Sequence, residues 1–259
     1  MNDSKVVRKI LVGFIALGTI GLAGDAASGA RHKPRQQADV AAERTGAWGG
    51  EPDAWARAHR RHVERAAKAD ADVVFLGDSI THSWGGDGRE DDGAAAWRAE
   101  FAPLKATSFG FPGDQTQHLL HRIGDGELAG HPRVAVVLIG TNNLGEGQSP
   151  EVTASGIAAV VEAIHRASPG TKILLLGLLP RGYRADDPLR RDAEQVNAIV
   201  AGWAADAAVT YLDAGPALLR RDGRLRADAM KDDVHPTSEG YRLLASAIRG
   251  PLRALLGGG

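Results

Sequence analysis

Five predominantly apolar runs punctuate the chain, at Val73–Leu76, Ala106–Phe109, Val134–Ile139, Ile173–Leu179 and Val209–Leu212. Their hydrophobicity is continuous rather than alternating, the pattern of strands buried on both faces. The starts lie about 30 to 40 residues apart, which leaves room for a crossover helix each time. Helical patterns fill the gaps at Ala94–Phe101, Gln115–Ile123, Pro150–Ala167 and Pro188–Ala205, and a last one runs from Pro236 to about Leu256. An earlier helix, Pro52–Ala69, places Trp55, His59, Val63 and Ala66 on one face. Its other face carries Arg57, Arg60, Arg61, Arg65 and Lys68, a solvated or an anion-binding stripe. Strand and helix in alternation predict an α/β fold built on a doubly wound, parallel, five-stranded sheet.

The first 30 residues carry a different pattern. A cationic stub (Lys5, Arg8, Lys9) precedes an apolar stretch from Ile10 to Gly24 and the small-residue run Ala26-Ala27-Ser28-Gly29-Ala30. This is the layout of a secretory signal peptide over residues 1–30. The stretch is shorter than the ~20 residues of a membrane span and rich in glycine, so cleavage is expected rather than a retained anchor. Residues 31–50 lack helical spacing and read as a linker or tail, which leaves 51–259 as one domain. Export would then place the chain in a periplasmic or extracellular setting, where the absence of cysteine makes it depend on core packing rather than disulfides. Acidic and basic residues nearly cancel, 32 against 31, so the charge points to neither nucleic acid nor an anionic membrane surface. Nothing in the sequence sets an oligomeric state.

In a parallel sheet the carboxyl ends of the strands share one edge, where ligands bind. Ser79 follows the first strand, Gly110 closes the second and Asn142 follows the third. The Asp232-Asp233-Val234-His235 segment returns to that edge between the fifth strand and the last helix. These groups form a chemical set. A serine hydroxyl attacks only when a base takes its proton, and the negative charge formed on the carbonyl oxygen needs waiting donors. His235 would be the base, and a carboxylate would hold its tautomer. The three-residue spacing favours Asp232, with Asp233 as competitor. The amides of Ser79 and Gly110 and the side chain of Asn142 would form the oxyanion hole, with glycine allowing close approach to substrate. If imidazole is the base, activity should rise as an ordinary histidine loses its proton, near ~6.5.

Other serine-hydrolase signatures are missing: no serine lies in Gly-x-Ser-x-Gly or Ser-x-x-Lys. His82, His118, His121 and His131 lie near the expected crevice, and His118 and His121 sit one helical turn apart. With no acidic or cysteine partner recognised at ligand spacing, no metal site is assigned. Trp84 and Phe111 are candidates to wall the substrate pocket, or ordinary core aromatics.

These blocks resemble the GDSL/SGNH hydrolase superfamily. Gly77-Asp78-Ser79-Ile80-Thr81 is similar to its first block, Phe109-Gly110 with Gly113 to its second, Gly140-Thr141-Asn142-Asn143 to its third and Asp232-x-x-His235 to its fifth. The stretch Ser108 to His118 looks most like the platelet-activating-factor acetylhydrolase subgroup, and the likeness runs from about Val73 to Leu244. The resemblance implies a flavodoxin-like three-layer sandwich, a Ser79–His235–Asp232 triad and no cofactor. Two positions depart from the family pattern, Ser108 for Asn and Asn143 for Asp. The expectation is an exported esterase acting on short acyl, chiefly acetyl, esters of carbohydrate or cell-envelope glycans. The alternatives are a lysophospholipid or lipid acyl hydrolase and a catalytically silent glycan-binding module.

Overall fold

Each apolar run becomes a strand: β1 (Val73–Gly77), β2 (Ala106–Gly110), β3 (Val134–Leu138), β4 (Lys172–Leu176) and β5 (Val209–Leu212). A computed structural model of the chain describes residues 37–45, 51, 53–85, 91–203 and 209–257. The strands pair in the order β2-β1-β3-β4-β5, all parallel. This is the flavodoxin-like order, in which the direction of winding reverses beside β1. Every residue of β1 and β3 is buried, as their continuous apolar pattern requires.

The helices are α1 (Ala54–Ala66), α2 (Ser79–His82), α3 (Ala94–Glu100), α4 (Thr116–Gly124), α5 (Thr141–Gly145), α6 (Pro150–Ala167), α7 (Pro188–Ala201) and α8 (Ser238–Leu255). α4, α6 and α7 pack as successive neighbours and α3 packs on α8, so helices flank the sheet. Helix starts follow local chemistry. Ser149 and Asp187 accept the N–H groups of Val152 and Leu189, and each precedes a proline at the first helical position. The closing helix starts at Ser238 rather than Pro236, because Pro236 is held in a bridge to Met230 and Thr237 accepts the Gly240 N–H as cap.

Two further boundaries differ from the sequence pattern. The fourth apolar run continues to Leu179, yet β4 ends at Leu176. Asn197 of α7 claims the backbone beyond it, accepting from Leu178 N at 2.7 Å and donating to Leu178 O at 2.9 Å. The expected linker is also corrected in part. Within it, residues 37–45 pack on the domain: Ala38 is buried, its carbonyl accepts from the Thr116 hydroxyl at 2.7 Å, and Ala42 N donates to Gln117 O at 3.0 Å. Gly156 makes room for this strap, since a Cβ there would lie 2.8 Å from Ala38 O. The compact unit accordingly begins at Gln36. The proposed signal peptide, residues 1–30, lies outside the described residues.

On α1, Arg65 is not part of a free cationic stripe. Its guanidinium stacks 4.8 Å above the Phe109 ring and donates to Ser108 O.

Candidate active site

β1 delivers Ser79 through a sharp turn into the four-residue α2. Asp78 caps that helix, its Oδ1 accepting the Ile80 N–H at 3.0 Å. From α8, the Tyr241 hydroxyl donates to Ile80 O at 2.8 Å and ties α2 down from its other side. Two glycines let this turn sit tightly on the sheet. A Cβ on Gly77 would lie 2.2 Å from Leu138 O, and one on Gly110 would lie 2.1 Å from His82 N. The glycine at 110 is therefore demanded by the backbone of α2, a stronger reason than the approach of a substrate.

Across the edge, the segment between β5 and α8 brings in the base. Ser79 Oγ lies 2.9 Å from His235 Nε2, and His235 Nδ1 lies 2.9 Å from Asp232 Oδ2. Asp232 also holds its own turn: Oδ1 accepts from Val234 N at 2.8 Å and His235 N at 2.6 Å. Partial burial works against its ionisation, but those N–H groups and the imidazole outweigh it and hold the carboxyl below the usual range. Asp233 takes no part in this contact; its carbonyl accepts from Gly182 N at 3.1 Å. Asp232, the carboxylate that spacing favoured, is thus the one on the imidazole.

Gly110 closes β2 directly opposite Gly77 in register, and α5 carries Asn142 from the end of β3. Asn142 Nδ2 donates one hydrogen to Asp114 O at 2.8 Å, which fixes the amide and leaves its second hydrogen as a donor for substrate. Burial pushes the Asp78 carboxyl up to about 7, despite the Ile80 N–H, and its Oδ2 has no hydrogen-bond partner. As pH falls below neutral, the nucleophile's neighbour thus carries progressively less charge to oppose an oxyanion.

Two expected pocket residues are corrected. Trp84 is 2 % exposed and packs in the core against Phe101 and Tyr241, with ring centroids 5.2 and 4.6 Å away. Phe111 is 1 % exposed beneath His62 and Trp55. Neither offers surface to a ligand, because each ring is spent on packing against other aromatic rings. The two departures from the family pattern serve the scaffold. Ser108 donates to Thr81 O at 3.0 Å. Asn143 is fully buried, accepting from Thr116 N at 3.0 Å and donating to Gln148 Oε1 at 2.9 Å. That bridge from α5 to α4 needs both a donor and an acceptor, which an amide supplies and a carboxylate does not.

Sequence reasoning missed Arg122, which is fully buried beneath the edge. It donates to Gly77 O at 3.1 Å, Phe109 O at 2.9 Å and Glu127 Oε2 at 2.5 Å, and its Nε lies 2.9 Å from Asp114 Oδ2. One guanidinium thus clamps the carboxyl ends of β1 and β2, the strands that carry Ser79 and Gly110. The signal was an arginine on the apolar side of a helix, three residues after Leu119 and next to Ile123. His118 Nδ1 accepts the Gln115 N–H at 3.0 Å, whereas His121 Nε2 lies 3.7 Å from Asp125 Oδ2.

Comparison with known proteins agrees with this geometry. The model of the GDSL-like Lipase/Acylhydrolase family matches residues 75–243. The chain is 36% identical over 204 residues to the human platelet-activating factor acetylhydrolase IB subunit alpha1, covering 78% of this chain and 84% of that protein. It is 35% identical over 206 residues to the bovine alpha2 subunit, covering 79% and 86%. Among solved structures, a GDSL-like lipase from Bacteroides thetaiotaomicron aligns with a TM-score of 0.61 at 21% identity, over 76% of this chain and 97% of that one. An acetylxylan esterase from Geobacillus stearothermophilus aligns at 0.56 and 20% identity, over 72% and 94%. At those identities the structural likeness speaks for the fold, whereas the family model and the curated relatives speak for lineage. The chain belongs to the GDSL-like lipase/acylhydrolase family and is an ester hydrolase.

Proposed function

We propose that the chain is an exported serine esterase that removes short acyl groups, acetyl foremost, from hydroxyls of carbohydrates or cell-envelope glycans. The observation that carries the chemistry is the unbroken relay from Ser79 through His235 to Asp232 at the carboxyl edge of the sheet. In the first step Ser79 Oγ attacks the ester carbonyl carbon while its proton passes to His235 Nε2. The oxyanion is held by the amides of Ser79 and Gly110 and by Asn142 Nδ2. Collapse expels the alcohol, which takes the proton from His235. Water then enters by the same route, frees the acid and restores Ser79. Acetyl is favoured because the curated relatives are named acetylhydrolases and one fold neighbour is an acetylxylan esterase. Export rests on the residue pattern of positions 1–30. Among the described residues, no helix is long and apolar enough to cross a membrane.

The curated relatives also favour a second reading, a lysophospholipid or lipid acyl hydrolase, since platelet-activating factor is in their name. One experiment addresses chemistry and substrate together. Purified protein is assayed on p-nitrophenyl esters of increasing chain length and on acetylated sugars, beside Ser79→Ala. The expected result is greatest turnover on acetyl esters, release of acetate from sugars, and no turnover by the variant at a nearly unchanged melting temperature. Residual turnover in Ser79→Ala would end the serine mechanism, and an optimum at long chains would hand the substrate to the lipid reading.

A further inference from the structure

A second cluster of chemistry-bearing groups lies apart from the serine relay, where α1 meets the C-terminal end of α4. His59 Nε2 stands 3.3 Å from Asp125 Oδ2, and His121 Nε2 stands 3.7 Å from the same oxygen. The three candidate ligand atoms all fall within 4.8 Å of one another. We propose that His59, His121 and Asp125 form a binding site for a divalent ion of the zinc class, which joins α1 to α4.

Glu127 is buried and presents Oε1 to His59 Nδ1 at 3.1 Å. A carboxylate can only accept there, so His59 donates from Nδ1, which fixes the ring and presents Nε2 to Asp125 as an atom that can hold either a proton or a metal ion. Two imidazole nitrogens and a carboxylate oxygen thus converge on one point, where a divalent ion can take the place of a shared proton. The arrangement has the features of a zinc ligand set: two imidazoles, one carboxylate, and an outer carboxylate that fixes a ring's tautomer and orientation. Zn–N and Zn–O bonds of ~2.0–2.2 Å place tetrahedral ligand atoms roughly 3.4 Å apart, so the His59–Asp125 pair already fits and His121 must draw in. Imidazole ligands select zinc or its transition-metal neighbours over magnesium and calcium, which prefer oxygen. The Asp125 side chain is 60% exposed, which opens a path for the ion and room for a water in the fourth position.

The outer carboxylate links this site to the sheet. Glu127 is also the partner of Arg122, whose guanidinium holds the ends of β1 and β2. An ion bound here braces the support on which Ser79 and Gly110 rest, without touching either.

The test uses full-length protein without a histidine tag, stripped with a chelator and dialysed. ZnCl2 is titrated in with binding heat and melting temperature as readouts, MgCl2 serves as the comparator, and CoCl2 adds the visible absorption of four-coordinate cobalt. His121→Ala and Asp125→Ala are measured alongside, both side chains reaching solvent. Wild type is expected to bind zinc and melt at higher temperature with it, to ignore magnesium and to colour with cobalt. Losing even an outer partner typically weakens such sites about 10- to 100-fold. Each ligand deletion should therefore weaken zinc by at least about tenfold and remove the rise in melting temperature. Wild type that neither binds zinc nor shifts its melt would overturn the proposal. So would variants that bind as tightly as wild type, since the ion would then sit on other histidines.

Discussion

Asp232 divides its two oxygens between two tasks, Oδ1 on the backbone N–H groups of its own turn and Oδ2 on the imidazole. Asp232→Asn keeps an acceptor for the turn but offers His235 Nδ1 an amide, which allows the wrong tautomer. In serine proteases the equivalent change costs about 10⁴ in turnover. A comparable loss in kcat, with the melting temperature almost unmoved, is expected here, while Asp233→Asn should retain most of the activity. Steady-state kinetics on an acetyl reporter check both. The residue types of this site were legible in the sequence because catalysis demands them in a recognisable set. For the orienting carboxylate the spacing favoured Asp232 without removing Asp233 as competitor, since both lie within one turn of His235, and the turn's hydrogen bonds put Asp232 on the imidazole. Trp84 and Phe111 were ambiguous for a related reason. An aromatic beside a site residue can face substrate or core, and packing drew both inward.

α4 shows how an element's ends depend on side chains from within it. The His118 imidazole reaches back to the Gln115 N–H, completing a reciprocal cap with the Gln115 side chain. Burial, joined by the nearby cations Arg44 and Arg122, lowers the His118 pKa to about 4. The unfolded chain, titrating near 6.5, takes up this proton before the folded one does. Stability tied to His118 is therefore intact above pH 6.5 and is lost as pH falls from there toward 4. His118→Gln keeps a side chain suited to reach back but removes the titration. Its melting temperature should fall less than that of wild type between pH 7 and pH 4.5, as read by circular dichroism. The existence and order of the long elements followed from periodicity, and Pro150–Ala167 matches its predicted bounds. The short α2 and α5 did not, because four or five residues hold too few apolar positions to show a period. Likewise β4 stops short of its apolar run because a side chain from α7 takes its backbone groups.

At the scale of the whole molecule, a single buried cation unites the parts. Arg122 joins β1, β2, Glu127 and Asp114, and Asp114 in turn holds Trp55 at 2.9 Å and Asn142 at 2.8 Å. Removing one partner of a buried ion pair typically costs about 3–5 kcal/mol, because the other charges stay buried without compensation. Arg122→Met should lower stability by about that much, seen as a reduced urea midpoint at a similar slope. Lost turnover should accompany it, as the Ser79 and Gly110 strands loosen. The sequence by itself determined the α/β class, the parallel sheet and the meeting of Ser79, Asn142, Asp232 and His235 at one edge. Those outcomes depend on local periodicity and chain order, which a linear pattern carries in full. Tertiary structure alone decided that Arg122 supports the edge from below and that His59 meets His121 and Asp125. Those pairings join residues far apart in the chain, and packing in three dimensions sets their distances.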